Sequence, residues 1–337
     1  MSGSGPFAND PGAVRKVLAP PLRVGIVGAG RTQQGLGPYF ADAFEAAGAV
    51  VTAVSGRDEA SAQRAAAALT TRLGHAVAAA ADAHSLARSV DAIVVASPVA
   101  HHLEGLDAAL AAGVTCLCEK PLVPWQDAAA GRERIAQFRA RGLLLDENCQ
   151  WPFVLSALFA LHPEIVGAPV RRIAMGLGPA AAGPTMVADS LSHVLSVAQA
   201  LVAIDAQTTL ANVRQTNQAP DAEANVVAFE LTATSGPIAV ELHLRRCPEP
   251  PRPAWIAVNG LRIDRRIGPD YTQSFVAHDR TVNVQDPLRQ LVYRFAALQQ
   301  ANDRERTRTF ATAFATAVDV RLRLYAGVLR ALDACTR

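Results

Sequence analysis

The sequence predicts a doubly wound α/β domain with a parallel sheet, followed by an α+β domain with a mostly antiparallel open sheet. In the first part of the chain, short apolar runs alternate with segments of helical periodicity, which is the pattern of strand–helix–strand units. Beyond Trp151, most strand-like runs alternate apolar and polar residues, as in a sheet with one wet face. The 337 residues are too many for one ordinary domain and fit two. We expect a flexible lead-in over residues 1–20, a first domain over 21–150 and a second over 151–337.

In the first domain, each strand is predicted from a short apolar run and each helix from apolar residues at helical spacing, most of which stop at a glycine. The predicted strands are Leu22–Val27, Val50–Ser55, His75–Ala78, Asp91–Ser97, Val114–Glu119 and Leu143–Glu147. The predicted helices are Pro38–Ala47, Glu59–Leu73, His102–Ala112 and Gln126–Arg141. Strands and helices that alternate in this way indicate right-handed crossovers and a parallel sheet.

In the second domain the elements are longer and their order is less regular. The predicted helices are Leu155–Leu161, Ser190–Ala203, Leu288–Gln299 and Thr309–Leu332. The predicted strands are Val170–Met175, Leu210–Thr216, Ala224–Thr232, Ile238–Leu244, Trp255–Val258 and Leu261–Asp264. Consecutive alternating strands of this kind indicate an antiparallel sheet.

Composition excludes several classes of protein. Half of the residues are hydrophobic and 18% are charged, which argues against a largely disordered chain. The formal net charge of +2 implies neither a nucleic acid nor an anionic membrane as partner. No apolar run is long enough for a membrane span and the N-terminus lacks a signal peptide, so we expect a cytoplasmic protein. The histidines show no metal spacing, and no metal is predicted.

A glycine-rich turn follows the first strand. Gly28-Ala29-Gly30 lies where a βαβ unit receives a pyrophosphate, because glycine lets the backbone approach the phosphates. The third glycine of the G-x-G-x-x-G pattern is replaced by Gln33, and Gly35 and Gly37 follow, so the turn is lengthened. We expect Gly28, Gly30 and Arg31 to bind a dinucleotide; a purely structural glycine turn is the alternative.

The end of the second strand indicates which dinucleotide is used. A cofactor without a 2′-phosphate usually meets Asp or Glu at this position, where a carboxylate accepts from the ribose. Here the strand ends in Ser55-Gly56-Arg57, and both polar side chains can bind a 2′-phosphate. The sequence favours NADP(H), with NAD(H) still possible through Asp58. A solvated arginine at a helix start is the alternative for Arg57.

The most informative stretch joins residues 96–102, ASPVAHH, to residues 111–122, AAGVTCLCEKPL. A strand ending in Ser-Pro, a histidine four residues after the proline and a Glu-Lys-Pro motif resemble the Gfo/Idh/MocA family of NAD(P)-dependent oxidoreductases. The resemblance spans about Leu22 to Leu332 and is strongest over 22–150. Val99 departs from the family's usual asparagine.

The resemblance assigns roles to several residues. Lys120 corresponds to the catalytic lysine, His193 to the proton donor or acceptor, and Asp189 to its neighbour. The cofactor-binding residues it implies in this stretch are Ser97, Pro98, His102, Glu119 and Lys120. Independently of the resemblance, Asp189 and His193 at i and i+4 share one helical face, where a carboxylate can orient an imidazole.

Substrate contacts are expected from Lys120, Asp189 and His193, and from residues at the domain junction. Asn148 and Gln150 offer polar groups and Trp151 a ring that can stack on a sugar; a role in joining the domains is equally open. The arginine pairs at 245–246 and 265–266 are interpreted as solvated strand ends rather than an anion site.

The function predicted from these residues is hydride transfer between nicotinamide and a carbonyl or alcohol of a small polar substrate, of the sugar, cyclitol or polyol type. Two alternatives remain: an imine or C=C reductase on the same scaffold, and a nucleotide-binding sensor without turnover. A homodimer or homotetramer formed through the C-terminal sheet is also expected from the family resemblance.

Overall fold

A computed structural model of the protein describes residues 20–30, 35–268, 272–301 and 304–335. The chain divides into two compact units. The first comprises residues 20–148 and Leu291–Asp319, and the second comprises Cys149–Gln290 and residues 320–335. Residues 291–319, which the sequence analysis placed in the second domain, therefore cluster with the first unit. The expected division of labour, cofactor in one domain and substrate in the other, stays a prediction.

The first unit contains a six-stranded sheet in which every neighbouring pair is parallel. Its strands are β1 (Arg23–Val27), β2 (Val50–Ser55), β3 (Ala78–Ala80), β4 (Ala92–Val95), β5 (Thr115–Cys118) and β6 (Leu145–Glu147). Their order is β3-β2-β1-β4-β5-β6, which confirms the doubly wound fold. The order reverses between β1 and β4, and ligands of open α/β sheets bind at the carboxyl ends of such a pair.

Helices follow the strands of this sheet. They are α1 (Gly37–Ala46), α2 (Glu59–Leu73), α3 (Ala83–Ala87), α4 (His102–Ala112) and α5 (Ala128–Arg141). The short α3 was not predicted; the Asp82 side chain caps it by accepting from the Ser85 N–H at 2.6 Å. Residues 291–319 supply further apolar side chains to this unit, including Phe295, whose ring meets Phe44 edge-on at 6.1 Å.

The second unit contains an eight-stranded sheet that is antiparallel except between β7 and β10. Its strands are β7 (Arg172–Leu177), β8 (Thr209–Gln215), β9 (Ala224–Ala233), β10 (Gly236–Arg245), β11 (Ala254–Val258), β12 (Leu261–Ile267), β13 (Gln273–Ala277) and β14 (Arg280–Val284). The order is β14-β13-β12-β11-β7-β10-β9-β8, which confirms the mostly antiparallel sheet. The hairpin of β13 and β14 is an addition to the predicted elements.

Along β10, buried apolar residues alternate with more exposed ones, so one face of the sheet is apolar. The remaining helices are α6 (Leu155–Leu161), α7 (Gly183–Leu201), α8 (Pro287–Gln300) and α9 (Arg304–Ala334). Helix α7 begins at Gly183 rather than at the predicted Ser190, because Pro184 occupies the first turn, where a missing N–H costs nothing.

Candidate active site

A cavity of about 410 Å³ lies at the carboxyl ends of β1, β2 and β4, in the first unit. This is the switch point of the sheet, where the strand order reverses. Six of the residues expected to bind cofactor line it together: Gly28, Gly30, Ser55, Arg57, Ser97 and Pro98. Arg31 lies outside the described residues.

The turn after β1 is shaped for close backbone approach. Gly28 has a φ of 87° and its N–H donates to the Ser55 carbonyl at 2.9 Å. A Cβ at Gly28 would lie 2.6 Å from the Ser97 backbone, so only glycine fits. At the start of α1, a Cβ on Gly37 would lie 2.6 Å from the Ala29 Cα. Gly37 thus allows the close helix–strand packing that the third glycine of the usual pattern provides.

Two buried hydroxyls at this cavity fit a polar ligand. Ser55 and Ser97 are both buried, and within the described residues neither hydroxyl has a hydrogen-bond partner. A buried hydroxyl without a partner is costly, and a ligand that bonds it removes that cost. A dinucleotide carries hydroxyl and phosphate oxygens that suit this purpose, so the cavity fits the cofactor.

The loop after β2 contains two charged side chains, those of Arg57 and Asp58. Asp58 caps α2: its carboxylate accepts from the Ser61 N–H at 2.7 Å and from Arg57 at 3.2 Å. These bonds hold the pKa of the Asp58 carboxyl below its ordinary value, with the Ser61 backbone contributing most. The guanidinium of Arg57 remains largely exposed at the cavity.

Four polar or charged side chains that were not predicted from the sequence also line the cavity: Ser61, Arg64, His101 and Glu104. Arg64 is the most relevant to an anionic ligand, because with Arg57 it is the second arginine that lines the cavity. Ser61 and Arg64 are three residues apart on α2, so helical spacing from the β2–α2 loop could have indicated Arg64.

His102, predicted to bind cofactor, does not line the cavity. Its ring is buried and both nitrogens face backbone carbonyls: Nε2 lies 2.9 Å from Ser97 O, and Nδ1 lies 3.0 Å from Pro121 O and 3.2 Å from Leu122 O. Burial lowers the pKa of His102, and the carbonyls act in the opposite direction. His102 therefore connects the loop after β4 to the loop after β5.

Lys120 lies in that second loop, directly after β5, and the Lys120–Pro121 peptide bond is cis. Its neighbour Glu119 accepts a short hydrogen bond from the Asn148 amide. Removal from water raises the pKa of the Glu119 carboxyl, against the opposing effects of the Lys120 ammonium and the Asn148 amide. The Leu122 N–H donates to the Glu147 carboxylate at 2.9 Å, so β6 also supports the loop. Asn148, expected to bind substrate, thus contacts Glu119.

The other predicted residues lie in the second unit. Asp189 and His193 are one turn apart on α7, and both are partly exposed. Trp151 meets the His193 ring edge-on with centroids 6.5 Å apart. Gln150 and Trp151 line a second, small cavity together with Arg265. An imidazole with a carboxylate one turn away can exchange a proton with a bound alcohol.

Residues 22–147 match the family described as oxidoreductase family, NAD-binding Rossmann fold, known as Gfo/Idh/MocA. The matched segment is the NAD-binding Rossmann domain that this family model describes. The family is described as one of NAD-binding oxidoreductases. No curated protein matches the sequence.

Solved structures resemble the fold over nearly the whole chain. UDP-N-acetylglucosamine 3-dehydrogenase from Acidithiobacillus ferrooxidans shares 18% identity at a TM-score of 0.64, over 95% of this chain and 100% of its own. An inositol dehydrogenase homolog from Azotobacter vinelandii, complexed with NAD+, shares 16% identity at a TM-score of 0.65, over 95% of this chain and 97% of its own. A mutant of a 3-ketoreductase from Actinomadura kijaniata, in complex with TDP-benzene and NADP, shares 21% identity at a TM-score of 0.64, over 91% of this chain and 96% of its own. At these identities the likeness establishes the fold alone.

In the part of the chain that the structure describes, no cluster of three or more His, Cys, Asp or Glu side chains could hold a metal ion. Among the helices described above, none is both long and apolar enough to cross a membrane.

Proposed function

We propose that the protein is an NADP(H)-dependent dehydrogenase or reductase that interconverts a carbonyl and an alcohol in a small polar substrate of the sugar, cyclitol or polyol type. The observation that carries the proposal is the cavity at the switch point of the sheet. This cavity is lined by the Gly28 turn, by two arginines and by two buried hydroxyls that have no partner among the described residues. A dinucleotide with an additional phosphate would use all of these groups.

The choice of NADP over NAD rests on the loop after β2. Asp58, the one carboxylate there that could accept from a ribose, is engaged in capping α2. Arg57 and Arg64 line the cavity, and the buried Ser55 hydroxyl lies at the same end. Guanidinium groups form charge-assisted hydrogen bonds with phosphate, and a 2′-hydroxyl gives them no such partner.

The proposed chemistry divides between Lys120 and His193. The Lys120 ammonium donates to the reacting oxygen and stabilises charge that develops on it. His193 exchanges the alcohol proton, and Asp189 orients its imidazole. A bound nicotinamide supplies or accepts the hydride. Gln150 and Trp151 are proposed to hold polar groups and one face of the substrate.

The substrate class is supported by the structural relatives. The names of two of them describe dehydrogenation of a sugar at C3 and of inositol, and a third is called a 3-ketoreductase. All three names imply a carbonyl–alcohol pair. Turnover of ring ketones or alcohols, and not of cyclic imines, would separate this reaction from the C=N alternative. Cofactor binding without turnover of either class would favour a sensor.

We also propose that the open face of the second sheet joins two copies of the chain. Its centre carries small residues, Ala174, Gly176 and Ala257, and Trp255 lies across Gly176. Arg262 stacks on the Trp255 ring at 4.2 Å. A flat face with a small-residue centre and an aromatic anchor suits a self-complementary interface.

The cofactor proposal is tested by fluorescence titration with NADPH and with NADH. We compare the wild type with Arg57→Gln and Arg64→Gln, and use Arg139→Gln, on the exposed side of α5, as a matched control. Each lost charge-assisted bond should weaken NADPH binding roughly tenfold or more and leave NADH binding unchanged.

Either of two outcomes would count against the proposal. Equal binding of NADPH and NADH by the wild type would refute the assignment of the 2′-phosphate site. Binding of neither would refute the oxidoreductase proposal itself, because hydride transfer requires the cofactor.

A further inference from the structure

Arg265 on β12 is a partly buried cation that has no anionic partner among the described residues. Its Nη2 donates to the backbone carbonyl of Arg252 at 2.8 Å. Its Nε is buried and, within the described residues, has no hydrogen-bond partner. Across those same residues, no carboxylate forms an ion pair with it. The Arg265–Arg266 pair was predicted to be a solvated strand end, but of the two only Arg266 is exposed.

The surroundings of Arg265 add positive charge. The Arg252 guanidinium bonds to the backbone carbonyls of Cys247 at 3.1 Å and of Pro248 at 3.3 Å. Removal from water and the nearby charge of Arg252 lower the pKa of Arg265 to about 10, so it is still a cation at neutral pH. A partly desolvated cation beside another cation is unfavourable, and an anion supplied from outside would relieve both costs.

The position of Arg265 connects it to the proposed site. Its guanidinium lies over the ring of Trp151 at 5.4 Å, and Trp151 meets His193 edge-on. Arg265 also lines the small cavity to which Gln150 and Gln273 contribute amides. The cavity volume of about 20 Å³ holds one end group of a molecule, and not a sugar ring.

We propose that Arg265 binds the carboxylate of an anionic substrate, a sugar acid whose reacting carbon is handled by His193. This inference rests on the proposed function. A purely structural role explains the contacts of Arg265 with Trp151 and the Arg252 carbonyl, and leaves its Nε without a partner. A carboxylate matches the planar guanidinium fork and the small cavity better than the larger, tetrahedral phosphate.

The test is calorimetric titration of the NADP+-saturated protein with D-glucuronate and D-galacturonate, and with the neutral sugars D-glucose and D-galactose. D-glucose 6-phosphate represents a phosphate source. We compare the wild type with Arg265→Gln and with Arg265→Lys, which keeps the charge. Arg266→Gln, at the adjacent exposed position, is the matched control.

We expect the wild type to bind at least one sugar acid roughly tenfold or more tighter than its neutral sugar. Arg265→Gln should remove that preference, Arg265→Lys should keep part of it, and Arg266→Gln should keep all of it. The inference is overturned if neither acid is preferred, if the preference survives in Arg265→Gln, or if the sugar phosphate binds tighter than both acids. Intact NADPH binding without acid preference refutes only this inference, whereas absent NADPH binding refutes the proposed function.

Discussion

Among single residues, Lys120 differs in its chemistry from the arginines, which carry most of the chain's positive charge. Lys16 and Lys120 are the two lysines among 32 basic residues, so arginine carries nearly all of the positive charge. An ammonium is a compact point charge with three rotatable donors, whereas a guanidinium is a rigid planar fork. Lys120 lies just after a strand, in a chain that otherwise uses arginine. A lysine there suits a position at which the side chain must donate to a single oxygen.

We therefore expect both Lys120→Ala and Lys120→Arg to lose turnover and to keep NADPH binding. The loss should be roughly 10²–10⁴-fold in kcat, the usual size of the contribution from a positioned polar group. The measurement is steady-state kinetics together with the NADPH titration. Unchanged turnover in Lys120→Ala would remove Lys120 from the mechanism. Full activity in Lys120→Arg would show that charge alone suffices.

Gly28 gives a second prediction at this scale, with Gly48 as its control. Both have positive φ, 87° and 79°, but a Cβ at Gly28 meets the Ser97 backbone whereas a Cβ at Gly48 meets nothing within 4 Å. Each alanine variant should lose roughly 1–2 kcal/mol of stability from the left-handed backbone. Gly28→Ala should lose more, and should also bind NADPH more weakly. Equal effects of the two substitutions on NADPH binding would contradict the role of the turn.

At the scale of elements, His102 connects two loops that the site depends on, those after β4 and β5. His102→Gln should lower the free energy of unfolding by about 1–3 kcal/mol, because buried carbonyls lose a well-placed donor. Exposed His84 on α3 provides the matched control, His84→Gln. Urea unfolding measures both, and a loss of equal size in the two variants would contradict the connecting role of His102.

The same histidine makes stability depend on pH. Burial lowers the pKa of His102 in the folded protein, whereas the unfolded chain titrates near the ordinary pKa of about 6.5. As the pH falls below about 6.5, the unfolded chain binds a proton that the folded chain resists, so the free energy of unfolding decreases. The decrease between about pH 7.5 and about pH 5.5 should be smaller in His102→Gln than in the wild type. An identical pH profile of urea midpoints would contradict this prediction.

The elements also show what the sequence could and could not predict. The central strands of the first sheet, such as β4 and β5, were predictable because they are short runs buried on both faces. The hairpin of β13 and β14 was not, since its turn carries no glycine at the bend; His278 adopts the positive φ of 52° there. Missing β13 had a consequence for the candidate site. Arg265 pairs with Phe275 of that strand, and without this neighbour it looks like a solvated strand end.

The residues that line the cavity of the first unit were predictable only in part, depending on whether they lie at a strand end or on a helix. Gly28, Ser55 and Ser97 end their strands, and strand ends of a parallel sheet meet at one edge, so sequence order indicates proximity. Arg64 lies on a helix, where only the rotation of α2 about its axis decides whether it faces the cavity. That rotation follows from the Asp58–Ser61 capping box, a detail of tertiary geometry.

At the scale of the whole molecule, the open face of the second sheet is the surface through which we propose that two copies associate. Arg172 and His243 both contact Glu241, at 2.9 Å and 3.1 Å, and form a polar border beside the small-residue centre. A stable interface needs roughly 800 Å² per partner, and an eight-stranded sheet is wide enough to supply it. A polar border around such a centre fixes how two copies align with each other, without the cost of burying a charge.

We therefore expect light scattering to give a mass of at least two 35.5 kDa chains for the wild type. Ala257→Glu places a carboxylate at the centre of the face, where a paired chain must bury it without a partner. This variant should be monomeric and folded by circular dichroism. Ala140→Glu, on the exposed side of α5, is the matched control and should keep the wild-type mass. A monomeric wild type would contradict the proposed association of two copies. An Ala257→Glu variant of unchanged mass would show that the copies do not associate through the small-residue centre of this sheet.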